Sequence, residues 1–349
     1  MKNFKLSLYF LLFLIFILSS NAFALSITSI ANRPDIQEFI NEMVIQYQFD
    51  RFDLTRLFSQ VNLRPLVISK ATHPFEKEAW VTYKNYFVTP DRIQAGVAFW
   101  QDHQPALNAA YKKFGIQPYI IIAILGIETK YGKNLGNFRV IDSLSTLAFQ
   151  YPTRANYFRY ELTQFLLFCR TNKIDPLSVY GSYAGAFGMP QFMPHSASNY
   201  SLAYQKDKSP DIVNNADDAI FSVANYLHNY DWHANEFSLT RAKVIDAKKV
   251  KQIESSTKKA IYSPKDLEKY GLAPVYSLKN NENVGIIKAL GDDKTDHYWF
   301  GLHNFYVIMQ YNASDLYAMA VCDLGKAILQ SRNNMVNSTD SVTDPKKNP

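Results

Sequence analysis

Cysteine is scarce: the 349 residues hold two, Cys169 and Cys322. Both lie in apolar helical contexts, Phe165-Leu-Leu-Phe-Cys169 and Ala318-Met-Ala-Val-Cys322. They read as buried free thiols, since an unreactive Cys behaves as a small hydrophobe. No pair has metal-ligand spacing, the seven histidines show no paired arrangement, and there is no internal repeat. His195, His228, His233, His297 and His303 therefore read as surface or capping residues rather than ligands or bases. Long apolar runs are equally rare. Only Leu6 to Leu18 stands out, and it is shorter than the ~20 residues that span a bilayer. Lys2 and Lys5 precede this run, and Asn21-Ala-Phe-Ala24 follows with small residues where an exporting peptidase reads them. A cleavable leader over residues 1–24 is expected, with cleavage after Ala24. A lipoprotein would need Cys at that point, and there is none. An uncleaved N-terminal anchor is the alternative; after cleavage no stable membrane anchor is expected.

The formal net charge is +6, and loss of Lys2 and Lys5 would leave +4. A mild positive excess suits an anionic polymer. Export makes nucleic acid an improbable partner, and the carboxylates of the cell wall fit better. Residues 25–238 read mainly as helices. Phe39, Met43, Val44 and Tyr47 share one helical face, Val97, Trp100, Ala106, Leu107 and Tyr111 continue the pattern, and Arg154 to Arg170 is a further amphipathic helix. Residues 239–297 change character. The stretch Lys248-Lys-Val-Lys251 and alternating runs such as Val284-Gly-Ile-Ile-Lys-Ala-Leu290 suggest a small β-containing insertion. Its lysines read as a solvated face before they read as a wall contact. Helical periodicity is expected again over residues 298–330, and residues 331–349, polar and without an apolar pattern, are expected to be a disordered tail.

What is present is concentrated around Glu128. It ends the apolar run Pro118-Tyr-Ile-Ile-Ile-Ala-Ile-Leu-Gly-Ile127 and opens Glu128-Thr-Lys-Tyr-Gly132. Pro118 suits a first helical turn, and a helix apolar on every side belongs inside a domain. A solvated glutamate at a helix end is the ordinary alternative. Burial and the negative end of the helix dipole would both disfavour the ionised carboxylate here, leaving a protonated general acid. Three further segments mix aromatic and amide side chains with glycines or turns. One runs from Asn137-Phe-Arg-Val-Ile-Asp142 to Phe149-Gln-Tyr-Pro152, Arg154 and Tyr157. The second is Gly181-Ser-Tyr-Ala-Gly-Ala-Phe-Gly-Met-Pro-Gln-Phe-Met-Pro194, and the third is Tyr306-Val-Ile-Met-Gln-Tyr311-Asn312 followed by Tyr317. Gly181, Gly185 and Gly188 permit tight turns, and Pro190 and Pro194 stiffen the segment holding Gln191 and Phe192. Amides pair with sugar hydroxyl and N-acetyl groups, and rings cover apolar sugar faces, although each ring taken singly reads first as core.

With these segments the chain resembles the lytic murein transglycosylases, in the group typified by lytic murein transglycosylase B. The resemblance rests on the Glu128–Gly132 and Gly181–Pro194 motifs. It extends through Trp80, Tyr83, Phe87-Val-Thr-Pro-Asp91, Phe99-Trp100, Ala219-Ile-Phe-Ser-Val-Ala-Asn-Tyr226 and Tyr298-Trp-Phe-Gly-Leu-His-Asn-Phe-Tyr306, over roughly residues 33 to 330. It implies a mainly α, lysozyme-like helical catalytic domain with a small β-rich subdomain. It also implies cleavage of peptidoglycan glycan strands between N-acetylmuramic acid and N-acetylglucosamine without water, giving 1,6-anhydromuramic acid ends, with Glu128 as the single acid and base and no cofactor. Ser182 and Gln191 match residues that hold Glu128 and the N-acetyl group. Tyr83, Arg154 and Tyr157 match saccharide contacts, Tyr311 and Asn312 match the third motif near the scissile bond, and Phe192 and Tyr317 lie beside the same cleft. The family's paired arginines are here Thr153-Arg154.

Some relatives carry an EF-hand-like calcium loop, matched here by Ala203-Tyr-Gln-Lys-Asp-Lys-Ser-Pro-Asp-Ile-Val-Asn214. A calcium loop wants oxygen ligands at positions 1, 3, 5 and 12 and Gly at 6. Those positions hold Ala203, Gln205, Asp207, Asn214 and Lys208, so no metal is expected; Asn214 and Asp218 read as turn and cap residues before a helix. A muramidase admitting water to the same intermediate is one competing reading, and an idle peptidoglycan-binding scaffold is another, disfavoured because Glu128, Ser182 and Gln191 are intact. A serine hydrolase is excluded because Gly181-Ser-Tyr-Ala-Gly185 follows no expected strand and lacks a paired histidine.

Overall fold

The computed structural model describes residues 29–72, 79–275, 278, 282–291 and 293–342. The expected leader and its cleavage point lie outside the described residues. Two compact units divide the chain, one ending at Asn62 and one starting at Leu63, so the helical stretch expected over residues 25–238 belongs to both.

In the first unit, α1 (Pro34–Tyr47) and α2 (Arg51–Phe58) form a small pair. Asp50 caps α2 by accepting the Asp53 N–H at 2.8 Å. Phe39 and Met43 are buried, and the rings of Phe39 and Phe58 meet edge to face at 5.8 Å.

The second unit begins with α3 (Pro65–Ala71), α4 (Trp80–Phe87), α5 (Pro90–Asp102), α6 (Gln104–Phe114) and α7 (Pro118–Thr129). It continues with α8 (Val140–Gln150), α9 (Ala155–Asn172), α10 (Pro194–Tyr200) and α11 (Ala216–Asn229). Proline in the first turn, where its missing N–H is harmless, starts α3, α5, α6, α7 and α10. Helix α7 is the axis of the unit. It packs against α5, α6, α11 and, from the far end of the chain, α13 (Asp315–Val342), so residues 120–127 are all buried. An all-round apolar helix is stable only under such cover.

Two short strands, β1 (Phe138–Arg139) and β2 (Tyr180–Gly181), pair antiparallel. Between α11 and α12 (His303–Tyr311) lies the inserted sheet, in the order β4-β3-β6-β5 and antiparallel throughout. Its strands are β3 (Leu239–Val244), β4 (Leu272–Pro274), β5 (Gly285–Leu290) and β6 (Asp296–Gly301). Leu267, Leu272, Val284, Ile286 and Phe300 make its own small core. The mainly helical class with a small β-rich part is therefore as expected, with two corrections. Tyr298 to Gly301 belongs to the last strand rather than to the start of the helical return, because Trp299 and Phe300 pair on both sides, with β5 and with β3. The polar segment from Ser331 is helical as far as Val342. Helix propagates cheaply from a turn that is already packed. Leu324 and Ile328 supply that turn, and the contacts of Ser331 Oγ with Gln94 Nε2 (3.3 Å) and of Arg332 with the Trp100 ring (4.6 Å) extend it.

Candidate active site

Glu128 occupies the last turn of α7, half-buried between buried neighbours. The four residues that follow it explain its fixed position. Lys130 and Tyr131 take left-handed backbone angles, φ 50° and 61°, which end the helix abruptly. Thr129 Oγ1 donates to the Met189 carbonyl at 2.9 Å and accepts the Gly132 N–H at 3.0 Å, bolting the helix end to the Gly181–Pro194 loop. The Tyr131 hydroxyl donates to the Arg92 carbonyl at 2.7 Å, and its ring stacks on Phe99 at 5.4 Å, which fastens the same turn to α5.

The carboxyl group meets the C-terminal helices. Tyr317 Oη donates to Glu128 Oε1 at 2.6 Å. Tyr311 stacks on Tyr317, with centroids 6.3 Å apart and planes at 10°, and donates its own hydroxyl to the Pro190 carbonyl at 2.6 Å. Burial first, and the charge of Glu128 second, push both phenols well above the ordinary tyrosine range, so they stay protonated and act as donors. Tyr226 packs edge-on against Tyr311 at 4.9 Å and holds Phe192 at 5.5 Å. Its hydroxyl donates to the Gln310 carbonyl at 2.6 Å.

Not every expected saccharide contact can reach a ligand. Tyr83, Phe192 and Tyr317 are each only 2% exposed, so they support the floor of the site rather than cover a sugar face. Tyr317 orients Glu128, Phe192 backs Tyr311 at 5.7 Å, and Tyr83 packs on Phe87 at 4.7 Å. Tyr157, Gln191, Tyr311 and Asn312 are half-buried, and Arg154 is exposed. Arg154 lies over the Tyr157 ring at 4.3 Å, a stacked guanidinium that needs little reorganisation to meet an anion. The Asn312 side chain follows the end of α12.

Ser182 and Gln191 shape the loop. Ser182 Oγ accepts the N–H groups of Ala184 (3.2 Å) and Ala186 (3.1 Å), which leaves its own hydrogen to donate. Gln191 sits at φ 48°, a strained angle for a residue with a side chain, and its Nε2 donates to the carbonyls of Leu135 (3.1 Å) and Gly188 (3.0 Å). Its Oε1 is thereby turned outward from those carbonyls as the acceptor. Gly185, at φ 90°, packs where a side chain would strike Leu144, and a Cβ on Gly181 would meet the Ala186 carbonyl at 2.1 Å.

The sequence reading passed over one buried pair. Glu161 is 0% exposed. Its Oε1 lies 2.6 Å from His195 Nδ1, and its Oε2 accepts the His195 N–H at 3.0 Å. Hydrogen bonding to Glu161 raises the His195 pKa against the opposing effect of burial. His195 is thus an ion-pair partner rather than a surface residue. Tyr157 adjoins the same carboxylate, and burial together with Glu161 pushes its phenol upward. Spacing carried a signal: Glu161 shares the helical face of Phe158, Leu162 and Phe165, where an acid needs a buried partner. Thr129, Tyr131 and Tyr226 lie within the motifs, and only packing gives each of them a partner.

The loop matched to a calcium site does not fit one. Asp218 Oδ1 and Oδ2 accept the N–H groups of Tyr204 (2.8 Å) and Asp211 (2.9 Å), closing the loop with hydrogen bonds. Asp211 Oδ1 caps the turn at Val213 and Asn214. The cap of α11 is Asn215, and Asp218 lies buried inside the first turn, which corrects the expected assignment.

Comparison with known proteins agrees with this geometry. Residues 31–326 match the family model described as a transglycosylase SLT domain. Membrane-bound lytic murein transglycosylase B of Escherichia coli (strain K12) is 38% identical over 313 residues, 86% of this chain and 84% of that protein. The crystal structure of soluble lytic transglycosylase SltB1 from Pseudomonas aeruginosa superposes with a TM-score of 0.80 at 38% identity, covering 86% of this chain and all of that one. The Escherichia coli lytic transglycosylase Slt35, solved in complex with bulgecin A, gives 0.79 at 37%, covering 87% of this chain and 96% of that one. This chain therefore belongs to the transglycosylase SLT domain family and is a lytic transglycosylase of the lytic murein transglycosylase B type.

Proposed function

We propose that Glu128 is the single general acid and base of this enzyme. In this reading it cuts the MurNAc-β-1,4-GlcNAc bond of peptidoglycan and leaves a 1,6-anhydromuramic acid end. The observation that carries the reading is the 2.6 Å bond from Tyr317 to Oε1 of a half-buried carboxyl at the negative end of α7. The helix dipole favours the protonated acid. A phenol on Oε1 assigns the acidic proton to Oε2 and then steadies the carboxylate once that proton has gone. Glu128 protonates the bridging oxygen, and the substrate's N-acetyl group stabilises the oxocarbenium-like centre. The carboxylate then takes the proton of the muramyl 6-hydroxyl as O6 bonds to the anomeric carbon, which regenerates the acid without consuming water.

Ordinary glycosidases need a second carboxylate. Among the described residues the buried acids are otherwise engaged: Glu161 with His195, Asp142 with Arg139 at 2.7 Å, and Asp218 with backbone N–H groups. That supports the substrate-assisted route. Arg154 on Tyr157 takes the lactyl carboxylate, Gln191 Oε1 and the Asn312 amide take N-acetyl and hydroxyl groups, and Ser182 donates its hydroxyl toward Glu128. Residues 1–24 direct the chain to the periplasm. Among the described residues no helix is long and apolar enough to cross a membrane. Calcium plays no part, because lysines 206 and 208 and the engaged Asp218 leave the loop without a ligand set.

Mass spectrometry of muropeptides released from purified peptidoglycan tests the chemistry. Products ending in 1,6-anhydromuramic acid, lost in Glu128→Gln, are expected. Reducing ends would convert the assignment to a muramidase, and wall binding without release would convert it to a scaffold.

A further inference from the structure

The fold stacks two histidines that are far apart in sequence. The rings of His233, in the loop after α11, and His303, at the start of α12, have centroids 3.8 Å apart and planes at 9°. Asp231 enters the same corner from a left-handed backbone, φ 66°. Its Oδ2 lies 3.5 Å from His233 Nε2 and 3.5 Å from His303 Nε2. The three ligand atoms lie within 4.8 Å of one another, and no other group of three such side chains occurs among the described residues.

Two further features make this more than a chance meeting of surface side chains. Glu236 Oε2 lies 2.9 Å from His233 Nδ1, so the carboxylate accepts a hydrogen on Nδ1 and leaves Nε2, on the side of Asp231, as the nitrogen that can ligate. A carboxylate behind a ligating histidine is the arrangement that orients imidazole toward a metal. The loop is also fixed independently. Asn304, fully buried, accepts the His233 N–H at 2.9 Å and donates to the carbonyls of His233 (2.8 Å) and Glu236 (3.3 Å). Just beyond, Leu302 N donates to Ser238 O at 2.9 Å, and Leu239 faces Gly301 in the sheet. Both strands that join the inserted sheet to the helices therefore converge on this cluster.

We propose that Asp231 Oδ2, His233 Nε2 and His303 Nε2 bind a zinc-class divalent cation at the neck of the inserted sheet, with Glu236 orienting His233 and water completing the shell. Tetrahedral zinc with bonds of about 2.0–2.1 Å holds its ligand atoms about 3.3–3.4 Å apart, close to both Asp–His separations. Two nitrogens and one carboxylate oxygen select a first-row transition ion over calcium or magnesium, which take oxygen ligands. Two changes accompany binding. The rings open from their parallel stack so that each lone pair points at the ion, which their partial exposure permits. His303 Nε2, at 2.7 Å from the Asp231 carbonyl, also exchanges that contact for the ion, its neutral ring carrying the hydrogen on Nδ1 instead. The site is separate from Glu128, and the proposal stands whether or not the reaction assigned to Glu128 is correct.

The test is zinc chloride titrated into untagged, EDTA-stripped full-length protein in competition with a chromogenic zinc indicator. Binding of one equivalent is expected. His303→Asn and Asp231→Asn should each weaken it at least about 10-fold, and Glu236→Gln by about 10-fold, the lower end of the usual effect for a residue behind a ligand. Melting curves recorded in EDTA establish that each variant is folded. Zinc should raise the melting temperature of the parent protein and not that of His303→Asn. Absence of stoichiometric binding, or binding unchanged in both His303→Asn and Asp231→Asn, overturns the proposal.

Discussion

Two glutamates in the second unit, Glu128 at the end of α7 and Glu161 within α9, stand in surroundings that differ sharply. Glu161 is wholly buried, and both of its oxygens are held by His195, one by the ring and one by the backbone. A partner able to carry positive charge holds both oxygens of that carboxylate. Glu128 is half-buried, sits at the negative end of its helix and accepts a hydrogen bond from a neutral phenol that is itself hard to ionise. In the function proposed above, that carboxyl holds a proton and releases it. The difference is the usual route by which two carboxyls on one fold acquire different duties.

The contrast breaks first at Glu128. Glu128→Gln should lower muropeptide release by about 10³–10⁴-fold, the scale of losing a general acid and base, with unfolding stability changed by less than about 1 kcal/mol. A comparable loss of stability would mean that Glu128 is structural as well. Tyr317→Phe comes next. It removes one hydrogen bond to an ionisable group, worth about 1.5–3 kcal/mol, so kcat should fall by about 10–100-fold with little change in KM. A KM effect alone would return Tyr317 to a substrate contact.

Glu161→Gln should do the reverse of Glu128→Gln, with urea denaturation showing about 1–3 kcal/mol lost and the 1,6-anhydro product unchanged in kind. Retained stability with abolished cleavage would make Glu161 a second catalytic carboxylate. His195→Gln sharpens the same point through pH. The folded His195 pKa lies above its ordinary value of 6.5, so its contribution is complete below about pH 6.5 and disappears as pH rises through the folded value. Melting temperatures of the variant and the parent should therefore differ most on the acid side and converge on the alkaline side. A gap that widened with pH would reverse the assignment.

Much of this was legible in sequence because it is local. Pro118 and the unbroken apolar run make a buried helix wherever they are placed, and Glu128 must emerge at its end. Glycines 181, 185 and 188 mark a tight loop before any coordinate is known. Exposure was not legible. Tyr83, Phe192 and Tyr317 look like cleft aromatics, yet α13 returning beside α7 buries Tyr317 and turns it into the donor for Glu128. The helix beyond Ser331 was hidden for a related reason: the polar residues have no pattern of their own and continue a helix that others nucleate.

By itself the sequence determined the helical class, the inserted strands, the motif carrying Glu128 and the family to which those motifs point. These follow from periodicity, turn chemistry and residues adjacent along the chain. Only the tertiary structure decided that Thr129 bolts α7 to the Gly181–Pro194 loop, that Tyr317 addresses Glu128, that Glu161 pairs with His195, and that His233 stacks on His303. Each joins groups from separate elements. Such contacts depend on how the helices pack and on which faces are left to water, and neither is encoded in any short window of sequence.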